Sequence, residues 1–382
     1  MGSKFPVAQW EQQPTPFYYY DLKLLGDTLD TVMHEAGKYG YHVHYAMKAN
    51  ANDGLLSEMQ QRGLGIDCVS GNEVRKAIEL GFDSSKVVYA GVGKADWEIN
   101  LALDAGIFAF NVESIPELEV INELAGKKGK KASVALRINP NVNANTHHYI
   151  TTGLEENKFG INLWDVEKVV NTIAGLSNIQ LEGLHFHIGS QITDLEPFKG
   201  LCIKVNELQD WFEERHIALK VINVGGGLGI DYHEPDMHPM PNFKAYFEVF
   251  HQNLQLRPGQ EVHFELGRSL VAQCGSLITR VLYVKEGVNT KFAIVDAGMN
   301  DLIRPALYQA YHKIQNLTSN GEIGKYDVVG PVCESSDCFG KAVDMPYTKR
   351  GDIIALRSAG AYGEIMASRY NLREFAKSVY SE

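Results

Sequence analysis

The sequence predicts an α/β protein, a closed (β/α)8 barrel joined to a C-terminal domain that is mostly β. Two observations carry the barrel. Strand-like runs alternate with helix-patterned segments from residue 42 to residue 266, and such alternation demands parallel strands, because a parallel neighbour cannot be reached through a tight turn. The runs number eight, which favours closure over an open doubly wound sheet. The third observation is a change of texture after Gly267, where short strand-like runs follow one another with turns and few long helices.

In chain order, an irregular lead-in ends in the aromatic run Phe17-Tyr18-Tyr19-Tyr20, which reads as a strand. Residues 21–39 then place Leu22, Leu25, Leu29, Val32 and Met33 on one helical face. The eight strand-like runs fall at 42–47, 65–70, 87–91, 107–112, 133–138, 181–188, 221–225 and 261–266. Helical spacing occupies 72–80, 95–105, 115–125, 166–173, 198–215 and 243–253. Beyond these, 277–285, 292–295, 327–329 and 352–356 read as strands of the second domain. The predicted division is a barrel over 30–270 and a β domain assembled from 1–29 and 271–382. Residues 141–157 are long, polar and without either pattern, a candidate for a loop that closes over a site.

Composition narrows the function. A net charge of -11 argues against a nucleic-acid surface, and the cluster Lys127, Lys128, Lys130 and Lys131 reads as a solvated loop. Five cysteines without a scaffold rhythm point to a reducing compartment. No run is long and apolar enough to span a bilayer, and the first residues lack the apolar core of a signal peptide, so a cytoplasmic protein is expected.

Active sites of such barrels sit at the carboxyl ends of the strands, so what each strand presents on exit is informative. The exits offer Lys48, then Asp67 and Ser70, then Asn111 and Glu113, then Arg137 and Asn139. The last three offer His185, His187 and Ser190, then Gly225, Gly226, Gly227 and Gly229, and finally Glu265, Gly267 and Arg268. A lysine after a buried strand either snorkels to solvent or is desolvated into a nucleophilic amine. The glycine run reads equally as a tight turn or as a nest of open N–H groups that cradles a phosphate. It does not fit a dinucleotide fingerprint, because Ile230 stands where the third glycine belongs. The pair His185 and His187 invites a metal-dependent hydrolase as the alternative, although the further histidines it would want, His147 and His148, lie in the unpatterned loop. A buried Glu265 needs a cation or a protonated ring to face. Together these residues describe a pyridoxal 5′-phosphate site with no metal, with Lys48 holding the cofactor and Glu265 keeping its pyridine nitrogen protonated.

The motifs follow in an order that resembles the barrel-type pyridoxal phosphate-dependent decarboxylases of alanine-racemase-like fold, and within them the diaminopimelate branch. They are Y-A-M-K-A-N at 45–50, D-C-V-S-G-N-E at 67–73, N-K-F-G-I at 157–161, H-F-H-I-G-S-Q at 185–191, G-G-G-L-G at 225–229 and E-L-G-R-S at 265–269. In the β domain, M-N-D-L-I-R-P-A-L-Y at 299–308, C-E-S-S-D at 333–337 and G-A-Y-G at 360–363 look like that branch's substrate-selecting motifs. The resemblance implies decarboxylation of meso-2,6-diaminopimelate to L-lysine, the last step of lysine biosynthesis, by a homodimer whose sites are shared between subunits. It implies that Lys48 links the cofactor, that His187 stacks on its ring, and that Asp67, Ser190, Gly226, Gly227, Glu265, Gly267, Arg268 and Tyr362 contact it. Arg268, Arg304, Tyr308, Tyr362 and a partner-supplied Glu334 would hold the distal end of the substrate, and a partner-supplied Cys333 would be the proton donor, with Lys48 the competing candidate. Taken singly, Cys333 would read as a small buried hydrophobe, Arg304 as a surface ion pair and Tyr362 as core. Decarboxylases of the same fold acting on ornithine, arginine or carboxynorspermidine, and a non-catalytic relative, are the other readings. Leu266, Ser336 and Asn72 depart from the family pattern without removing a functional group.

Overall fold

The computed structural model describes residues 5–142 and 158–381, which leaves the loop expected at 141–157 almost entirely outside the described residues. The chain forms two compact units, one of Asp27–Gly229 and Pro241–Gly267, the other of Met1–Gly26, Ile230–Met240 and Arg268–Glu382.

After β1 (Phe17–Tyr20), the strands of the first unit are β2 (His42–Ala46), β3 (Gly65–Cys68), β4 (Val87–Tyr89), β5 (Ala109–Val112), β6 (Ala132–Asn139), β7 (Ile161–Asn162), β8 (Ile179–His185), β9 (Val221–Asn223) and β10 (Glu261–Leu266). All but the two-residue β7 join in a closed parallel ring, β2-β3-β4-β5-β6-β8-β9-β10 and back to β2. This is the eight-stranded barrel that the alternation predicted.

Successive side chains of a strand point to opposite faces, so parity decides what fills the barrel. The outward residues are apolar and meet the helices. Phe264 of β10, for example, packs edge-on against Phe247 and Phe250 of the helix Phe243–Asn253, with ring centroids 4.9 and 5.0 Å away. The inward residues are unusually polar. His44 and His263 contact each other through ring nitrogens 2.8 Å apart, and Asn111, His185, Asn223 and Glu265 form a second polar group inside the same ring. Buried polar groups are tolerable only when paired, and here the pairs run across strands.

Several exit residues prove to be structural. Ser70 caps the helix Gly71–Glu79 by accepting from the Glu73 N–H at 3.2 Å. Asn139 is held to the Phe159 carbonyl at 2.6 Å. Leu266 pairs in register with Tyr45, so β10 keeps its ladder to its last residue. The helix Asp53–Gln61 is absent from the helical spacing seen in the sequence; Asn52 caps it, and Leu55, Leu56 and Met59 bury its inner face between polar neighbours.

The second unit is an eight-stranded sheet of β1, β11 (Gly275–Glu286), β12 (Lys291–Val295), β13 (Ile314–Asn316), β14 (Ile323–Val329), β15 (Cys338–Pro346), β16 (Ile353–Leu356) and β17 (Lys377–Tyr380). The aromatic β1 runs antiparallel to β11 and parallel to β17, as the mostly β second domain requires. Its Phe17 and Tyr19 pack with Phe5, Trp10, Ile278 and Ile353, which explains why an N-terminal strand belongs to a C-terminal sheet. Strands β13, β15 and β17 escape the sequence reading because they are short or half exposed and carry no apolar run.

Candidate active site

The site is built on the carboxyl ends of the barrel strands. Glu265, next to last in β10, is 7% exposed. Its Oε1 accepts from the Asn111 side chain on β5 at 2.9 Å and from the Asn223 side chain on β9 at 2.7 Å, and its Oε2 lies 2.8 Å from His185 Nε2 on β8. Donors from three strands fix the carboxylate in place. Burial opposes its ionisation, but His185, with further help from His44 and Lys48, holds the carboxyl well below the usual carboxylate range.

Lys48 sits in the single turn Met47–Ala49 that follows β2, half buried. Together with Asp67, Arg137, His185, His187 and Glu265 it lines a cavity of about 380 Å³. Asp67 is buried and its Oδ1 has no hydrogen-bond partner among the described residues; burial, and then the charge of Glu265, push its carboxyl well above the ordinary value. His187 is shifted the other way, chiefly by burial and then by the charges of Lys48 and Arg137, and so is a neutral ring. Arg137 is anchored to Glu113 at 2.9 Å, and Phe159 of the N-K-F-G-I motif lies 4.9 Å beneath its guanidinium.

The glycine run after β9 is required by packing. Gly225 has φ +71, and a Cβ there would lie 2.1 Å from the Phe186 carbonyl; a Cβ on Gly226 would lie 2.0 Å from the Glu265 carbonyl. Backbone packing alone therefore demands glycine at both. The Gly226 N–H faces His187 Nδ1 at 3.5 Å, and the Gly227 N–H has no acceptor among the described residues. Gly226→Ala should lower stability by about 1–3 kcal/mol or more, because the strand ends must part to admit the methyl group. Urea unfolding measures this, and an unchanged midpoint would contradict the packing.

In the β unit, Arg268 and Arg304 converge on Tyr232. Their Nη1 atoms lie 2.6 and 3.2 Å from its hydroxyl, and the Tyr362 ring lies 4.9 Å from the Arg268 guanidinium. Arg304 is buried, contrary to a surface ion pair, and Tyr362 is half buried with φ +57, a strained conformation for a non-glycine residue. Tyr308 ends the short helix Arg304–Tyr308. Cys333 is exposed rather than a buried hydrophobe, and Glu334 beside it accepts from the Tyr370 hydroxyl at 2.5 Å. Among the described residues, neither shares a hydrogen bond or ion pair with the arginine cluster. Ser190 lies half buried in the loop after β8.

In the pair His185 and His187, His185 Nε2 is turned to Glu265 and His187 faces the glycine run. His147 and His148 lie outside the described residues. The one metal-sized group of His, Cys, Asp or Glu among the described residues is His42, Glu261 and His263, where β2 and β10 begin.

The profile of the family described as pyridoxal-dependent decarboxylase, pyridoxal binding domain, matches residues 28–272. The chain is 60% identical to the diaminopimelate decarboxylase of Bacteroides thetaiotaomicron, over 100% of this chain and 99% of that one. The chain belongs to the diaminopimelate decarboxylase family. Its members include the Vibrio cholerae enzyme, 43% identical over 97% of this chain and 89% of that one. The crystal structure of diaminopimelate decarboxylase from Helicobacter pylori complexed with L-lysine superposes with a TM-score of 0.93 at 39% identity, covering 98% of this chain and 94% of that one.

The barrel residues fit the family's pyridoxal cofactor. An ionised Glu265, a neutral His187, and a buried Asp67 oxygen and a Gly227 N–H that have no partner among the described residues share one end of the barrel with Lys48. Three residues of these clusters went unremarked in the sequence. Asn223 is legible by parity, two residues before the glycine run; Tyr232 and His312, whose Nε2 lies 2.9 Å from Arg304 Nη1, lie in no motif, and only the packed β unit reveals them.

Proposed function

We propose that the protein decarboxylates the D centre of meso-2,6-diaminopimelate to give L-lysine and carbon dioxide, with pyridoxal 5′-phosphate as cofactor. The observation that carries this reading is the Glu265 carboxylate, kept ionised by His185 and held by two asparagines on the wall of the cavity that Lys48 also lines. Pyridoxal phosphate supplies, when bound, a protonated pyridine ring that accepts the electron pair left by the departing carboxylate.

The chain's own residues do the rest. Lys48 is the amine that would hold the cofactor. Glu265 keeps a proton on the ring nitrogen, since a buried carboxylate stabilises a neighbouring cation. His187 offers a neutral ring face, and Asp67, whose carboxyl pKa burial raises, offers its buried Oδ1 to the cofactor. Ser190, Gly226, Gly227 and the Gly267-Arg268 segment serve the phosphate, with Tyr362. Arg268, Arg304, Tyr308 and Tyr362 receive the distal carboxylate, and Glu334 the distal ammonium. One carbon–carbon bond breaks, carbon dioxide leaves, and the Cys333 thiol gives its proton to the same carbon.

Carbon dioxide release from meso-diaminopimelate, ornithine, arginine and carboxynorspermidine tests the substrate. Turnover of the first alone is expected, and preference for another would overturn the reading.

The functional unit is a cytoplasmic homodimer in which Cys333 and Glu334 serve the partner's site. Lys48→Ala and Cys333→Ala chains, each inactive alone, should regain about a quarter of wild-type activity when co-expressed, because random pairing leaves half the dimers with one intact site. No recovery would place Cys333 in the site of its own chain.

A further inference from the structure

We propose that His312 is a positioning residue for the distal carboxylate site, and that with Tyr232 it holds the Arg304 guanidinium through neutral acceptors, leaving its charge undiminished for a ligand. The inference rests on the reading that Arg268 and Arg304 receive that carboxylate.

Arg304 is 6% exposed, yet no carboxylate among the described residues lies within ion-pair distance of it. The usual way to bury a guanidinium is to pair it with Asp or Glu, which would also cancel the charge that a ligand could use. Here Nη1 instead donates to the Tyr232 hydroxyl at 3.2 Å and to His312 Nε2 at 2.9 Å. Arg268 donates to the same hydroxyl at 2.6 Å, so one neutral oxygen spaces two cations.

The role of His312 follows from its two partners. Its Nδ1 lies 2.9 Å from the Arg357 carbonyl, which can only accept, so Nδ1 carries the proton. A guanidinium can only donate, so Nε2 must present a lone pair. Both contacts select one neutral tautomer, and burial, then the charge of Arg304, push the pKa of the ring down to about 3 in agreement. The carbonyl is itself secured, because the Arg357 side chain is ion-paired with Asp236 at 2.9 Å and its N–H donates to Lys313 O at 2.8 Å. The Tyr232 ring stands edge-on to His312, with centroids 5.4 Å apart. Among the described residues no carboxylate neutralises Arg304, and its planar fork is held in place before a carboxylate arrives.

The test uses the holoenzyme, with meso-diaminopimelate as substrate and two product-like inhibitors. L-Lysine keeps the distal carboxylate and 1,5-diaminopentane lacks it. His312→Phe should raise KM about 10-fold or more while kcat stays within about 3-fold, since uniform binding is what is lost. Inhibition by L-lysine should weaken in parallel, that by 1,5-diaminopentane should not change, and the visible absorbance of the bound cofactor should persist. His312→Gln, whose amide can donate to Arg357 O and accept from Arg304, should restore KM to within about 3-fold. Should His312→Phe fail to fold, Tyr232→Phe removes only a hydroxyl and should show the same split. An unchanged KM, an equal loss for both inhibitors, or a glutamine variant as poor as phenylalanine would overturn the proposal. If Arg304→Ala itself leaves KM unchanged, the underlying reading has failed instead.

Discussion

Replacing Lys48 with alanine is expected to cut decarboxylation by about 10⁴-fold or more, because the group lost is the amine through which the cofactor is held and exchanged. Sodium borohydride reduction of the wild-type holoenzyme should fix the cofactor to the peptide containing Lys48 and to no other. The structure makes this a discriminating test, because a second lysine, Lys94, follows Gly91 and Gly93 of the same cavity lining. Lys94 is committed elsewhere. Its Nζ bonds the Gly91 carbonyl at 2.7 Å, the Asn111 carbonyl at 3.0 Å and Glu117 at 2.5 Å. A buried amine tied to three acceptors is not free to reach into the cavity as a nucleophile. Label on Lys94 would refute the assignment of Lys48.

Glu265→Gln should lower kcat by about 10²–10³-fold while leaving the cofactor bound, the loss typical of removing one preorganised group that stabilises developing charge. A neutral amide no longer favours a protonated ring nitrogen. The fold should tolerate the change, because the amide oxygen can still accept from Asn111 and Asn223, and His185 can move its proton to Nδ1, which has no other partner among the described residues. Steady-state kinetics with a spectrum of the bound cofactor decides it, and a kcat within a few-fold of wild type would remove Glu265 from the mechanism. The same carboxylate has a signature in stability. Its folded-state pKa lies below the unfolded value of 4.5, so its contribution is present above about pH 4.5 and is lost as pH falls through the lower, folded value. Glu265→Gln should flatten that part of the acid unfolding curve.

Much of the fold was legible because periodicity is a local property. All eight barrel strands coincide with runs visible in the sequence, down to 261–266 for β10. The helix Asp53–Gln61 was not, since three buried residues among six polar or small ones resemble a turn until the cap at Asn52 is seen. The excursion Ile230–Met240, which leaves the barrel unit to supply Tyr232 to the β unit, has no mark in the sequence at all.

The site divides in the same way. Chemistry-bearing residues in motif order, Lys48, His187, the glycine run and Glu265, named the cofactor and the family from the sequence alone, because a reaction constrains residue type and spacing. Only the tertiary structure decided what holds those groups in their working states. Glu265 is ionised because Asn111, His185 and Asn223 reach it from three other strands. Arg304 is held without a described carboxylate because a histidine whose tautomer is set by a carbonyl 45 residues away accepts a hydrogen bond from its N–H. Protonation and charge depend on burial and on partners distant in the chain, and no local pattern records either.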